Sequence, residues 1–66
     1  MQLIVNGEGK NVPEGTSVAQ LLELLKVEPA RVVVEVNLTI LKRLQHPQTL
    51  LKEGDLVEIV HFVGGG

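Results

Sequence analysis

The chain has no cysteine, no tryptophan and no tyrosine, and Phe62 is its single aromatic residue. Without thiols it forms neither a disulfide nor a thiolate metal centre. Small domains of oxidising compartments usually carry bridges, so a cytoplasmic location is expected. Without further aromatics there is no platform on which bases could stack, and the six basic residues are scattered without forming a stripe. Nucleic acid is therefore not an expected partner. No apolar run has the length of a membrane span. The first residues show neither a charged n-region nor an apolar h-region, and no membrane partner is expected.

What the chain does have is Leu and Val in quantity. Hydrophobic residues make up 44% of 66 positions and the formal net charge is −2. This is the composition of one small globular domain with a marginal core. A domain of this size has no room for a deep catalytic cleft. Its expected part in chemistry is that of a substrate or carrier.

Periodicity orders the elements. Met1 to Asn6 alternates as a strand, with Leu3 and Val5 on one face. Asn6-Gly7-Glu8-Gly9 reads as a turn, because Asn-Gly accepts positive φ. Lys10 to Pro13 reads as a short second strand that Pro13 confines to an edge. Ser17 and Gln20 form a capping box. They open a helix whose stripe is Val18, Leu21, Leu22 and Leu25, with Pro29 blocking its continuation. Arg31 to Asn37 is a Val-rich third strand, Ile40 to Lys42 a short fourth, and Leu56 to Val63 the last. His46-Pro47 reads as a surface turn and His61 as a strand surface residue.

A hairpin, one helix and further strands give an α+β fold: a mixed four- to five-stranded sheet with one main helix on one face. If the last strand returns beside the first, the result is the β-grasp, or ubiquitin-like, arrangement. The division is a domain over 1–63 and a glycine tail over 64–66. On this topology the tail leaves a central strand, and four extended residues from Val63 reach about 13 Å.

Motifs for autonomous catalysis fail on detail. Gly7-Glu8-Gly9-Lys10 lacks the third glycine of a dinucleotide fingerprint and the hydroxyl residue of a phosphate loop, having Val12 and Asn11 there. The two histidines have no metal-ligand spacing. No nucleophile, acid and base constellation is legible. The last strand is more informative. Val57, Ile59 and Val63 continue the core face, whereas Val60 and Phe62 alternate to the other, and Ile4 points the same way from the neighbouring strand. A sheet covered by one helix leaves one face open, so Val60, Phe62 and Ile4 are the expected docking residues beside the tail. Gly64-Gly65-Gly66 then forms a stalk without Cβ atoms, ending in an unhindered carboxylate.

These features together resemble the ThiS family of sulfur carrier proteins of thiamine biosynthesis. The resemblance is carried by the opening Met1-Gln2-Leu3-Ile4-Val5, the helix start Ser17-Val18-Ala19-Gln20-Leu21-Leu22 and the strand end Val36-Asn37. The turn Leu51-Lys52-Glu53-Gly54-Asp55 and the terminal Gly65-Gly66 complete it. It covers essentially the whole chain. Departures are an additional Gly64 and a Leu38-Thr39-Ile40 segment where the family often has a glycine or acidic turn.

The resemblance implies a carrier with no cofactor of its own. ATP and a sulfur donor would act through a ubiquitin-activating-like adenylyltransferase of the ThiF/MoeB type. Gly66 would be adenylated and converted to a thiocarboxylate, Gly64 and Gly65 would thread the tail, and a thiazole synthase of the ThiG type would receive the sulfur. Two other readings fit the residues. One is a carrier for another pathway, such as the small subunit of molybdopterin synthase. The other is a ubiquitin-like module that binds non-covalently.

Overall fold

The computed structural model describes residues 1–62. Five strands form one mixed sheet in the order β2-β1-β5-β3-β4. They are β1 (Gln2–Val5), β2 (Glu8–Asn11), β3 (Val32–Val36), β4 (Thr39–Leu41) and β5 (Leu56–His61), with one α-helix, α1 (Val18–Leu24). β5 lies in the middle, parallel to β1 and antiparallel to β3. This is the β-grasp arrangement, with the last strand returning beside the first.

The helix forms where the stripe placed it. Ser17 Oγ accepts from the Gln20 amide at 3.1 Å and Gln20 Oε1 accepts from the Ser17 amide at 2.9 Å. Together they satisfy two of the donors that a helix start leaves free. At the other end the Val27 amide donates to Leu22 O and the Lys26 amide to Glu23 O, the paired bonds of a Schellman stop. Lys26 takes φ +58° there, a position usually given to glycine. Val18, Leu21 and Leu22 are buried against Leu3, Val5, Val34, Val57 and Ile59 of the sheet, with Leu51 closing the side. Fully burying such a side chain contributes about 1.5–3 kcal/mol, and with Val12 and Val32 these residues make up the buried hydrophobic core among the described residues. Among the described residues no helix is long and apolar enough to cross a membrane.

Several boundaries differ from the sequence expectation. The first turn is only Asn6-Gly7, and β2 begins at Glu8 because Val5 already pairs with Glu8. Gly9 is therefore a strand residue opposite Ile4, not part of a loop. β2 ends at Asn11 rather than running to Pro13; the Val12 amide donates to Met1 O and the Met1 amine to Val12 O, and Pro13 has no N–H with which to continue. β4 is Thr39–Leu41, one residue earlier than expected, since Asn37 and Leu38 alone make the turn with φ of +50° and +72°.

His46 is the clearest correction. It is not a surface turn residue: it lies in a 3₁₀ segment, Arg43–Gln48, and is buried at 3% exposure. Pro47 stands inside that segment. It restricts the residue before it without preventing a tight turn, and the backbone enters β-type pairing again where Ser17 bridges Leu50.

Candidate functional site

β5 positions the site. Its alternation sends Val57 and Ile59 into the core and leaves Leu56, Val60 and, past the strand end, Phe62 exposed. Across the ladder Val60 pairs with Val33, which is also exposed. The Phe62 amide donates to Arg31 O at 3.1 Å, so the β3–β5 pairing persists to the last described residue. Val33, Val60 and Phe62 thus form an apolar group on the open face, directly before the glycines in sequence.

Ile4 is on the same face but belongs to a different group. It stands beside Leu56, in register across the parallel β1–β5 ladder. Leu56 and Val60 are four residues apart, about 13 Å along a strand. The structure therefore places Val60 and Phe62 together and sets Ile4 at the far end of the face. Gly64, Gly65 and Gly66, together with Val63, lie outside the described residues.

Between the two apolar groups sits a feature the alternation pattern did not single out. Glu58 of β5 is in register with Glu35 of β3, both half-buried. Parity alone put each on the open face; only the register, which depends on a pairing more than 20 residues apart, puts them side by side.

Two asparagines hold β5 in place. Asn6 follows β1, and its carboxamide accepts from the Ile59 amide (Oδ1, 2.7 Å) and donates to Ile59 O (Nδ2, 3.2 Å). One side chain thus replaces the next peptide group of β1 and lengthens the parallel ladder. Asn37 follows β3; its Oδ1 accepts from the Leu56 amide at 2.9 Å and its Nδ2 donates to Asp55 Oδ1 at 3.0 Å. His46 is remote from this strand end in the sequence and on the 3₁₀ segment that contacts α1. Among the described residues its Nδ1 has no hydrogen-bond partner, and burial, with Arg43 nearby, holds its pKa below the usual histidine value.

Comparison with known proteins decides the family. The sequence model of the ThiS family matches residues 3–66. The chain belongs to the ThiS family. The sulfur carrier protein ThiS of Bacillus subtilis is 37% identical over 65 residues, 97% of this chain and 98% of that one. The crystal structure of ThiS from Geobacter metallireducens superposes with a TM-score of 0.87 at 42% identity, covering both chains completely. A thiazole synthase of Paramagnetospirillum magneticum is 41% identical over all 66 residues, but the chain spans only 20% of that protein's length. ThiS is the family of the sulfur carrier proteins of Bacillus subtilis and Escherichia coli.

Proposed function

We propose that this ThiS-family carrier works through its C-terminal carboxylate. The observation that carries the reading is the central strand β5, which runs past an exposed apolar group and is followed in sequence by Gly64-Gly65-Gly66. A carboxylate near neutral pH is ionised and resists attack at carbon. A ubiquitin-activating-like adenylyltransferase of the ThiF/MoeB type solves this with ATP: the Gly66 carboxylate attacks the α-phosphate, pyrophosphate leaves and an acyl-adenylate forms. The outer sulfur of a persulfide then attacks the acyl carbon and expels AMP. A thiol cleaves the remaining S–S bond, leaving the Gly66 thiocarboxylate and a disulfide. ATP and the sulfur donor belong to the partner enzymes, and the carrier contributes no acid or base.

The sulfur goes to a thiazole synthase of the ThiG type. Support comes from relatives named thiazole synthase, in which a segment like this whole chain occupies a fifth of the length. Docking uses Val60 and Phe62, with Val33 beside them and Ile4 at the other end of the face. Gly64 and Gly65 thread the tail, where a Cβ would obstruct a narrow passage.

The test is intact mass after incubation with ATP, an adenylyltransferase and a sulfur donor. One oxygen of the C-terminal peptide is replaced by sulfur, and Gly65→Val blocks adenylation while the domain stays folded. An unchanged mass with the cognate enzyme, or normal adenylation of Gly65→Val, breaks the reading.

A further inference from the structure

Asn6 and Gly7 combine an electrophile and a nucleophile in one dipeptide. The main-chain nitrogen of the residue after an asparagine can attack that asparagine's own side-chain carbonyl carbon, Cγ. The attack is easiest where glycine follows, because no side chain shields the nitrogen. The other asparagines, Asn11 and Asn37, are followed by Val12 and Leu38. Gly7 is exposed, and a Cβ built on it would meet nothing within 4 Å. Its nitrogen is therefore open to the solvent base that must take its proton.

The electrophile, by contrast, is guarded. The Asn6 amide donates to Val57 O at 2.9 Å, and beyond that bond the side chain takes over from the backbone. Oδ1 accepts from the Ile59 amide at 2.7 Å and Nδ2 donates to Ile59 O at 3.2 Å. A carboxamide held at both ends on β5 cannot turn back onto Gly7 until those bonds break. They break when the turn lifts from β5, where β1 is paired over only two register positions. Openings of this local kind occur in native proteins at free energies below that of global unfolding.

We propose that Asn6-Gly7 is a site of intramolecular deamidation whose rate is set by the contact between Asn6 and Ile59. In the open form the deprotonated Gly7 nitrogen adds to Asn6 Cγ. The Cγ–Nδ2 bond breaks, and Nδ2 leaves as ammonia with the proton that Gly7 gave up to solvent. The succinimide ring so formed then adds water. Opening at Cγ gives aspartate, and opening at the main-chain carbonyl carbon gives isoaspartate. The sum is loss of ammonia and gain of water, with no oxidant or reductant. Both products weaken the same junction. A carboxylate has no donor, so Ile59 O loses its partner and faces negative charge. Isoaspartate also adds a methylene to the main chain within a two-residue turn fixed by the pairing of Val5 with Glu8. The turn thereby records how often β1 and β5 have separated, independently of the chemistry at the tail.

The experiment follows the full chain in mildly alkaline buffer by peptide mass mapping, beside the same chain unfolded in guanidinium chloride. The mass reads replacement of NH2 by OH at Asn6, and chromatographic splitting of that peptide into aspartate and isoaspartate forms identifies the succinimide route. In the unfolded chain Asn6 is converted ahead of Asn11 and Asn37, and in the folded chain it is converted about tenfold more slowly or less. Leu3→Ala removes a fully buried side chain of β1 and leaves the dipeptide intact; it speeds conversion under native conditions. Gly7→Val shields the nitrogen and slows conversion even in guanidinium chloride, where folding plays no part. Asn6→Asp, which copies one product, melts below wild type. Equal rates in the folded and unfolded chains overturn the proposal, as does an unfolded chain in which Asn11 or Asn37 is converted first. So does native Leu3→Ala that converts no faster than wild type, or unfolded Gly7→Val that converts as fast. Aspartate without isoaspartate would replace the intramolecular route by direct hydrolysis and overturn it too.

Discussion

The two hairpins of the sheet make the same turn with different residues. Both use two residues at positive φ beginning with asparagine, Asn6-Gly7 in one and Asn37-Leu38 in the other. In both, the asparagine side chain reaches across to β5. They differ in what else fixes the strand beside β5. β3 meets β5 over five register pairs, β1 over two. Where pairing is long, the ladder sets the geometry and an unfavourable Leu38 is tolerated. Where it is short, turn chemistry and the asparagine carry more of the burden.

The comparison is broken most directly by Asn6→Ala. It leaves the Ile59 amide and carbonyl without their partner in a half-buried setting, and the expected loss is about 1–3 kcal/mol. Urea denaturation checks it; Asn37→Ala, whose bonds are exposed, loses less. Equal losses would mean that ladder length does not matter. Gly7→Val comes next. A Cβ at Gly7 meets nothing within 4 Å, so only the backbone resists, at φ +83°. The expected cost is about 1–2 kcal/mol in the same titration. Leu38→Gly runs in the opposite direction. It relieves the left-handed strain but raises the entropy of the unfolded chain, and a gain of up to about 1 kcal/mol is expected in thermal melts. A loss on this substitution would show that exposed Leu38 makes a stabilising contact.

The smallest effect concerns pH and lies outside both hairpins. Burial lowers the pKa of His46 in the folded state, so the unfolded chain binds its proton more readily. The stability this provides is complete above the ordinary histidine pKa and is lost as pH falls through the lowered folded value. Denaturation at several pH values shows that loss in wild type and less of it in His46→Gln. The differences between the hairpin variants stay constant across the same range.

Much of this was legible in the sequence, because it rests on local chemistry. The capping box Ser17–Gln20, the stripe Val18, Leu21 and Leu22, and the inward Val57 and Ile59 all follow from period and turn residues. Exposure of Val60 followed from the same alternation. What was not legible depends on register or on distant packing. His46 is buried because the 3₁₀ segment folds against α1, which no neighbouring residue announces. Glu35 and Glu58 meet only because β3 and β5 align as they do. The grip of Asn6 on Ile59 spans 53 residues, and turn propensity explained Asn6 without it.

The position of β5 also has a consequence for synthesis. The strand placed in the middle of the sheet follows every other described element in the chain, so the ribosome delivers it after them. Until it emerges, the β1–β2 and β3–β4 hairpins have no common neighbour, and the two halves of the sheet cannot join. Such long-range closure is slow compared with local folding. A nascent or truncated chain therefore lacks the exposed group of Val33, Val60 and Phe62 until β5 and the residue after it have been made.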